Sequence, residues 1–75
     1  MSRLPGISGR AAVKAFERIG YVVDRQRGSH IQLRQPTTPN RRLTIPDHKE
    51  LGRGLLRALI RDAGLTVDEF SALLR

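Results

Sequence analysis

Apolar residues recur at helical spacing near the start of the chain. Side chains three or four residues apart lie on one face of a helix, and this spacing is shared by Ala12, Val13, Phe16 and Ile19. Ser8 precedes them as an N-cap, and Gly20 follows as a residue suited to end a helix. The pattern predicts a first helix between Ser8 and Gly20.

The same spacing returns in the second half, over residues 53–63. The predicted apolar stripe consists of Leu55, Leu56, Leu59, Ile60 and Ala63. The opposite flank carries Arg53, Arg57 and Arg61, and Gly64 follows as the stop. This predicts a second helix that is amphipathic and basic on its wet side.

A short third helix is predicted over residues 67–74 from its start signals. Thr66 and Glu69 have the spacing of a capping box, and Leu65 and Phe70 have that of a hydrophobic staple.

Between the first two helices the pattern alternates with period two, which is typical of strands. Residues 21–27 begin with β-formers, residues 29–34 place Ile31 and Leu33 on one face, and residues 41–45 place Leu43 and Ile45 on one face. Residues 36–40 form a turn-rich loop, and Pro46 ends the third strand. A hairpin with an antiparallel third strand is predicted.

The element order α-β-β-β-α-α predicts an α+β fold in which helices pack on one face of a three-stranded antiparallel sheet. Residues 1–75 are expected to form one domain. The second face of the sheet is then exposed to solvent, and its polar side chains are His30, Gln32, Arg34 and either Arg42 or Thr44.

Composition narrows the function classes. With 75 residues the chain is too short for a large enzyme, and without cysteine it has no disulfide, no thiolate nucleophile and no Cys-based zinc site. No stretch approaches the roughly 18 apolar residues of a membrane span. We therefore expect a cytoplasmic protein.

The net charge of +7 indicates which kind of partner the chain could bind. Thirteen of the fourteen basic residues lie in residues 1–61. A basic surface attracts polyanions, so nucleic acid is one interpretation. An acidic protein partner and a solubility or genome-composition effect are the alternatives.

His30 is the main candidate for catalysis. An imidazole near neutral pKa can take the proton of an RNA 2′-hydroxyl so that this oxygen attacks the adjacent phosphorus, while arginines stabilise the developing charge. The alternative is a solvated histidine without a role.

Other candidates also have two interpretations. His48 is either a second proton carrier or a loop residue that fixes a turn. Gly28 either lets the backbone approach a phosphate or links two strands. The arginines of the second helix either follow an RNA backbone or form an ordinary solvated flank. The two histidines are weak evidence for a metal site, and no phosphate-binding glycine motif is present, so neither a metal nor a cofactor is predicted.

Several runs together resemble the HicA (YcfA-like) family over nearly the whole chain. They are Ile7-Ser8-Gly9, Gly20-Tyr21, Arg25-Gln26-Arg27-Gly28-Ser29-His30, Arg42-Leu43-Thr44-Ile45-Pro46-Asp47-His48 and the run from Arg53-Gly54-Leu55 to Ala63-Gly64-Leu65. At Leu55 the chain departs from the family, which usually has threonine there.

The resemblance implies a toxin of a type II toxin-antitoxin system with a fold similar to the double-stranded RNA-binding domain. Such a toxin cleaves mRNA and is neutralised by a HicB antitoxin. The histidine of the Gly-Ser-His run, His30, is then catalytic. The expected RNA-binding residues are Arg27, Gly28, Ser29, Gln32, Arg34, Arg42, His48 and Arg57. A non-catalytic RNA-binding module remains the alternative.

Overall fold

The computed structural model describes residue 4 and residues 6–75, without the side chains of residues 39 and 40. The elements in chain order are α1 (Gly9–Glu17), β1 (Val22–Arg27), β2 (His30–Gln35), β3 (Thr38–Pro46), α2 (Arg53–Asp62) and α3 (Val67–Leu73). The predicted order of helices and strands and the α+β class are confirmed.

The first helix begins as its sequence predicts. The Ser8 hydroxyl accepts a hydrogen bond from the Ala11 N–H at 3.0 Å, which satisfies one of the unpaired donors of the first turn. The helix ends at Glu17, and Gly20 has a φ of +101° in the turn that leads to the sheet. Ile19 lies after the helix but still packs against the core.

The sheet is antiparallel in the order β1-β2-β3, so β2 is central. Arg27 lies opposite His30, and Gly28 and Ser29 alone connect the two strands. Gly28 has a φ of +54°, as the first central residue of a type II′ hairpin turn requires. We call Gly28 and Ser29 the tip turn.

The core lies between the sheet and the helices. The apolar residues of β2 and β3 are buried as predicted, namely Ile31, Leu33, Leu43 and Ile45. The helices contribute Phe16 from α1, Leu56, Leu59 and Ile60 from α2, and Phe70 from α3. Helices therefore cover one face of the sheet, which we call the helix face. The opposite face, which none of the three described helices covers, we call the open face.

The predicted start of the third strand was wrong. β3 begins at Thr38, which pairs with Gln35, so residues 36–40 are not one loop and only Pro36 and Thr37 connect the strands. Pro39 is tolerated because β3 is an edge strand, where a missing N–H need not cost a ladder hydrogen bond. Two smaller boundaries also differ: Tyr21 precedes β1, and Ser29 belongs to the tip turn.

The prediction that Leu55 lies in the apolar stripe of α2 was also wrong. Leu55 is 40% exposed, whereas Leu56, Leu59 and Ile60 are buried. At about 100° per residue, Leu55 lies roughly 90° from the centre of the buried stripe. It therefore falls at the edge of the stripe, on the wet side.

The capping box before α3 is confirmed. The Thr66 hydroxyl accepts from the Glu69 N–H at 3.1 Å, and the Glu69 carboxylate accepts from the Thr66 N–H at 2.8 Å. The Arg18 guanidinium donates to the Leu73 carbonyl at 2.9 Å, which ties the end of α3 to α1. Across the part of the chain that the structure describes, no helix has the length and apolar character needed to cross a membrane.

Candidate active site on the open face of the sheet

The side chains of the open face, most of them polar, form three rows across the strands, because cross-strand partners point to the same side. The tip row, next to the tip turn, consists of Arg27, His30 and Pro46. The middle row consists of Arg25, Gln32 and Thr44. The far row consists of Val22, Arg34 and Arg42. Successive rows are about 7 Å apart along the strands.

His30 is the first residue of β2 and is exposed. Because the Asp47 N–H donates to the Ser29 carbonyl at 2.6 Å, the adjacent pair of His30 and Pro46 is a non-hydrogen-bonded one, in which side chains approach most closely. Pro46 fits this place because its nitrogen is not needed for the ladder. The imidazole therefore stands on the sheet between Arg27 and Pro46, open to solvent.

The cations nearest to His30 are available for an anion. Arg25 and Arg27 are exposed, and neither forms an ion pair with any residue that the structure describes. Unpaired guanidiniums suit phosphate, because each presents several donors in a planar fork. The tip and middle rows thus combine a proton carrier with two unpaired positive charges.

Two arginines of the far row contact an acid that was not among the predicted site residues. Asp24 is the extra residue of a β-bulge in β1, and its carboxylate oxygens lie 3.4 Å from Arg34 Nε and 3.4 Å from Arg42 Nη1. The only sequence signal was one aspartate within a basic strand. A bulge is set by the pairing of two strands and is not visible in one strand's pattern.

The tip turn itself is open. Apart from its two chain neighbours, no atom of the described residues lies within 4 Å of the position that a Gly28 Cβ would occupy, so glycine is required there for its positive φ rather than for close packing. The space above the turn is free for a ligand. Ser29 is exposed, and its hydroxyl lies one residue from His30.

His48 and Arg57 do not belong to the three cross-strand rows. His48 follows the end of β3, and its carbonyl accepts from the Gly9 N–H of α1 at 2.9 Å. Arg57 belongs to the helix layer, where it lines a groove of about 530 Å³ beside the segment that leads into α3. The predicted residues of β1, β2, β3 and the tip turn therefore lie close together along the strands, whereas Arg57 lies on α2 and His48 follows β3 without a cross-strand partner.

Tyr21 has a shifted pKa but lies in the core, away from the open face. Burial raises the pKa of the Tyr21 hydroxyl, although the positive charge of Arg41 partly opposes this effect. This hydroxyl is buried without a hydrogen-bond partner among the described residues and is not part of the open face. Within the same residues, no three His, Asp or Glu side chains are grouped as metal ligands.

One family model matches the chain. It is described as the HicA toxin of bacterial toxin-antitoxin systems, and it covers residues 9–65. The matched part begins with α1 and ends after α2, so it contains all three rows of the open face, whereas α3 lies outside it. No curated protein matched the chain. Since the model covers well over half of the sequence, the chain belongs to the HicA toxin family of bacterial toxin-antitoxin systems.

Proposed function

We propose that this chain is a metal-independent endoribonuclease that cleaves mRNA, with His30 as the general acid or base. The observation that carries the proposal is the tip row, where an exposed imidazole stands beside an unpaired guanidinium on a face that no helix covers. Family membership supports the toxin role, and mRNA cleavage would explain how such a toxin stops translation.

The chemistry needs little from the protein. His30 takes the proton of a 2′-hydroxyl, the new bond forms between that oxygen and phosphorus, and the bond from phosphorus to the 5′-oxygen breaks. The leaving oxygen receives a proton from the imidazolium or from water. Arg27 lies where it can stabilise negative charge on the phosphoryl oxygens. The nucleophile comes from the RNA itself.

The other predicted RNA-binding residues divide by position. Gly28, Ser29 and Gln32 lie next to His30 and would contact the nucleotides at the cleaved bond. Arg34 and Arg42 of the far row would hold a phosphate farther along the RNA. For His48 and Arg57 we propose only weaker, peripheral contacts, because His48 follows the last paired residue of β3 and Arg57 belongs to α2.

We further propose that a HicB-type antitoxin neutralises the toxin by covering the open face in the cytoplasm. The unpaired guanidiniums of Arg25 and Arg27 favour a partner surface that is rich in carboxylates. Such a partner would exclude RNA from His30 without changing the fold.

A non-catalytic RNA-binding module is the second candidate. It is favoured by the fact that, among the described residues, the three rows hold one histidine and no second proton carrier of that kind. This candidate needs the same basic face but no chemistry at His30.

The two candidates differ in the effect of His30→Gln on a purified chain with an RNA oligonucleotide. General acid or base catalysis contributes about 100-fold or more, so we expect at least this loss of cleavage rate while RNA affinity stays within about twofold. His48→Gln is the matched substitution, for which we expect a loss of less than about fivefold. An unchanged cleavage rate in His30→Gln would remove the catalytic assignment.

A further inference from the structure

Arg10 connects α1 to β1 and to the end of β3, the two strands on either side of β2. Its Nε and Nη2 donate to the two carboxylate oxygens of Asp47, at 3.2 and 3.0 Å, and Nη2 also lies 3.4 Å from Gln26 Oε1. Asp47 follows directly after β3, and Gln26 belongs to β1. One guanidinium therefore joins the first turn of α1 to the ends of two strands on either side of β2.

Both of its partners act on the tip turn. The Gln26 side-chain amide donates to the Gly28 carbonyl at 3.0 Å, and the Asp47 N–H donates to the Ser29 carbonyl at 2.6 Å. The two residues of the turn are thus each held through a carbonyl, and both supports lead back to Arg10. His30 is the next residue along the chain.

The anchor for these contacts is itself close-packed. Gly9, at the start of α1, is buried, and a Cβ at this position would overlap the Pro46 carbonyl oxygen. The Gly9 N–H also donates to the His48 carbonyl. The first turn of α1 is therefore fixed against the end of β3, and Arg10 extends from a rigid base.

We propose that Arg10 is a positioning residue that fixes the tip turn and thereby the place of the His30 imidazole. This inference rests on the proposed function for its catalytic consequence. Arg10 does not act on RNA directly, because its partner Gln26 lies opposite the buried Ile31 and therefore on the helix face. The proposed RNA site lies on the other side of the sheet.

The contacts of Arg10 contribute little to stability. Its side chain is 62% exposed and that of Asp47 is 30% exposed, and ion pairs of this kind are weak in water. Their value is geometric, since a planar fork can hold two acceptors at set directions whereas an ammonium cannot. Loss of the fork should therefore loosen the tip turn without unfolding the chain.

The test compares Arg10→Gln and Arg10→Lys with Lys14→Gln, a matched control one turn later on α1. Misplacement of a catalytic group by a fraction of an ångström to 1 Å can cost up to about 100-fold, and we expect kcat for RNA cleavage to fall about tenfold in both Arg10 variants. KM should stay within about twofold, because Arg10 does not bind the substrate. Lys14→Gln should leave both constants unchanged.

A melting temperature within about 5 °C of the original chain would show that the Arg10 variants are folded. An unchanged kcat in a folded Arg10→Gln variant, or a loss confined to KM, would overturn the proposal. So would full activity in Arg10→Lys, because that result would show that charge alone is needed.

A second measurement does not depend on catalysis. Amide hydrogen exchange at Ser29 and His30 should become about tenfold faster in Arg10→Gln and should not change in Lys14→Gln. Equal exchange in all three chains would overturn the positioning role. If the original chain cleaves no RNA, the proposed function fails, and the exchange rates still decide whether Arg10 orders the tip turn.

Discussion

The two ends of the open face use the same residue types differently. In the tip row, Arg27 stands beside His30 without an ion pair among the described residues. In the far row, Asp24 lies 3.4 Å from each of Arg34 and Arg42. One end therefore offers a free cation next to a proton carrier, and the other offers two cations that already share a carboxylate.

If RNA binds as proposed, the number of arginines alone does not predict which end of the open face holds a phosphate more tightly. Asp24 has about a third of its side chain exposed, so its ion pairs are screened and each contributes at most about 1 kcal/mol. An RNA phosphate can displace such a carboxylate, but the exchange reduces the net gain. Among the described residues, Arg27 of the tip row has no carboxylate partner that would compete in this way.

The largest expected difference is between Arg27→Ala and Arg34→Ala. Loss of one donor to a developing negative charge typically costs 100-fold or more, so we expect Arg27→Ala to reduce kcat/KM for RNA cleavage about 100-fold. Arg34→Ala should reduce it less than about tenfold, because Asp24 already neutralises part of the charge. Steady-state kinetics on one oligonucleotide measures both.

Arg27→Lys is the matched variant for this comparison. It keeps the charge but not the planar fork, and we expect an intermediate loss. Equal losses for Arg27→Ala and Arg34→Ala would contradict the distinction between the two ends.

The next prediction concerns Asp24→Asn. Because this change releases two guanidiniums for phosphate, we expect RNA affinity to rise about fivefold and the plot of log affinity against log salt to steepen by roughly 0.7 to 1.4. The free energy of unfolding should change by less than about 1 kcal/mol. Binding titrations at several salt concentrations measure the slope. A weaker affinity in Asp24→Asn would show that the carboxylate orients the arginines instead of competing with RNA.

The smallest effect is expected for Arg57→Ala. Arg57 lies in the helix layer, so we expect RNA affinity to fall about twofold and the salt slope to change by less than about 0.7. The same titrations measure it. If Arg57→Ala lowered RNA affinity as much as Arg27→Ala does in the same titrations, the RNA would lie along α2 rather than on the open face.

Most of the fold could be predicted from the sequence because period and capping residues agree. Ser8, Thr66 and Glu69 make the cap contacts that their positions predict. The start of β3 could not be predicted, because a proline normally interrupts a strand and only the edge position of β3 makes Pro39 acceptable. Leu55 was misassigned because it lies at the edge of an otherwise regular stripe.

The candidate site could be predicted only for residues whose side of the sheet follows from the alternation of apolar and polar residues along a strand. Alternation predicts that His30, Gln32 and Arg34 lie on one side of the sheet, and the burial of β2 alternates accordingly, with Ile31 and Leu33 buried between them. The pairing of Asp24 depends on a bulge, and the contact of Arg10 with Asp47 joins residues that are 37 positions apart. Both follow from tertiary packing, which no local pattern contains.

The 3′ ends of the cleavage products test the central claim most directly. The purified chain should cleave RNA in the presence of a metal chelator and leave a 2′,3′-cyclic phosphate or the 3′-phosphate derived from it, because the 2′-oxygen is the nucleophile. A single 2′-deoxy nucleotide at the cleaved bond should abolish the reaction. Products that end in a 3′-hydroxyl, or cleavage that persists at the 2′-deoxy position, would contradict the account.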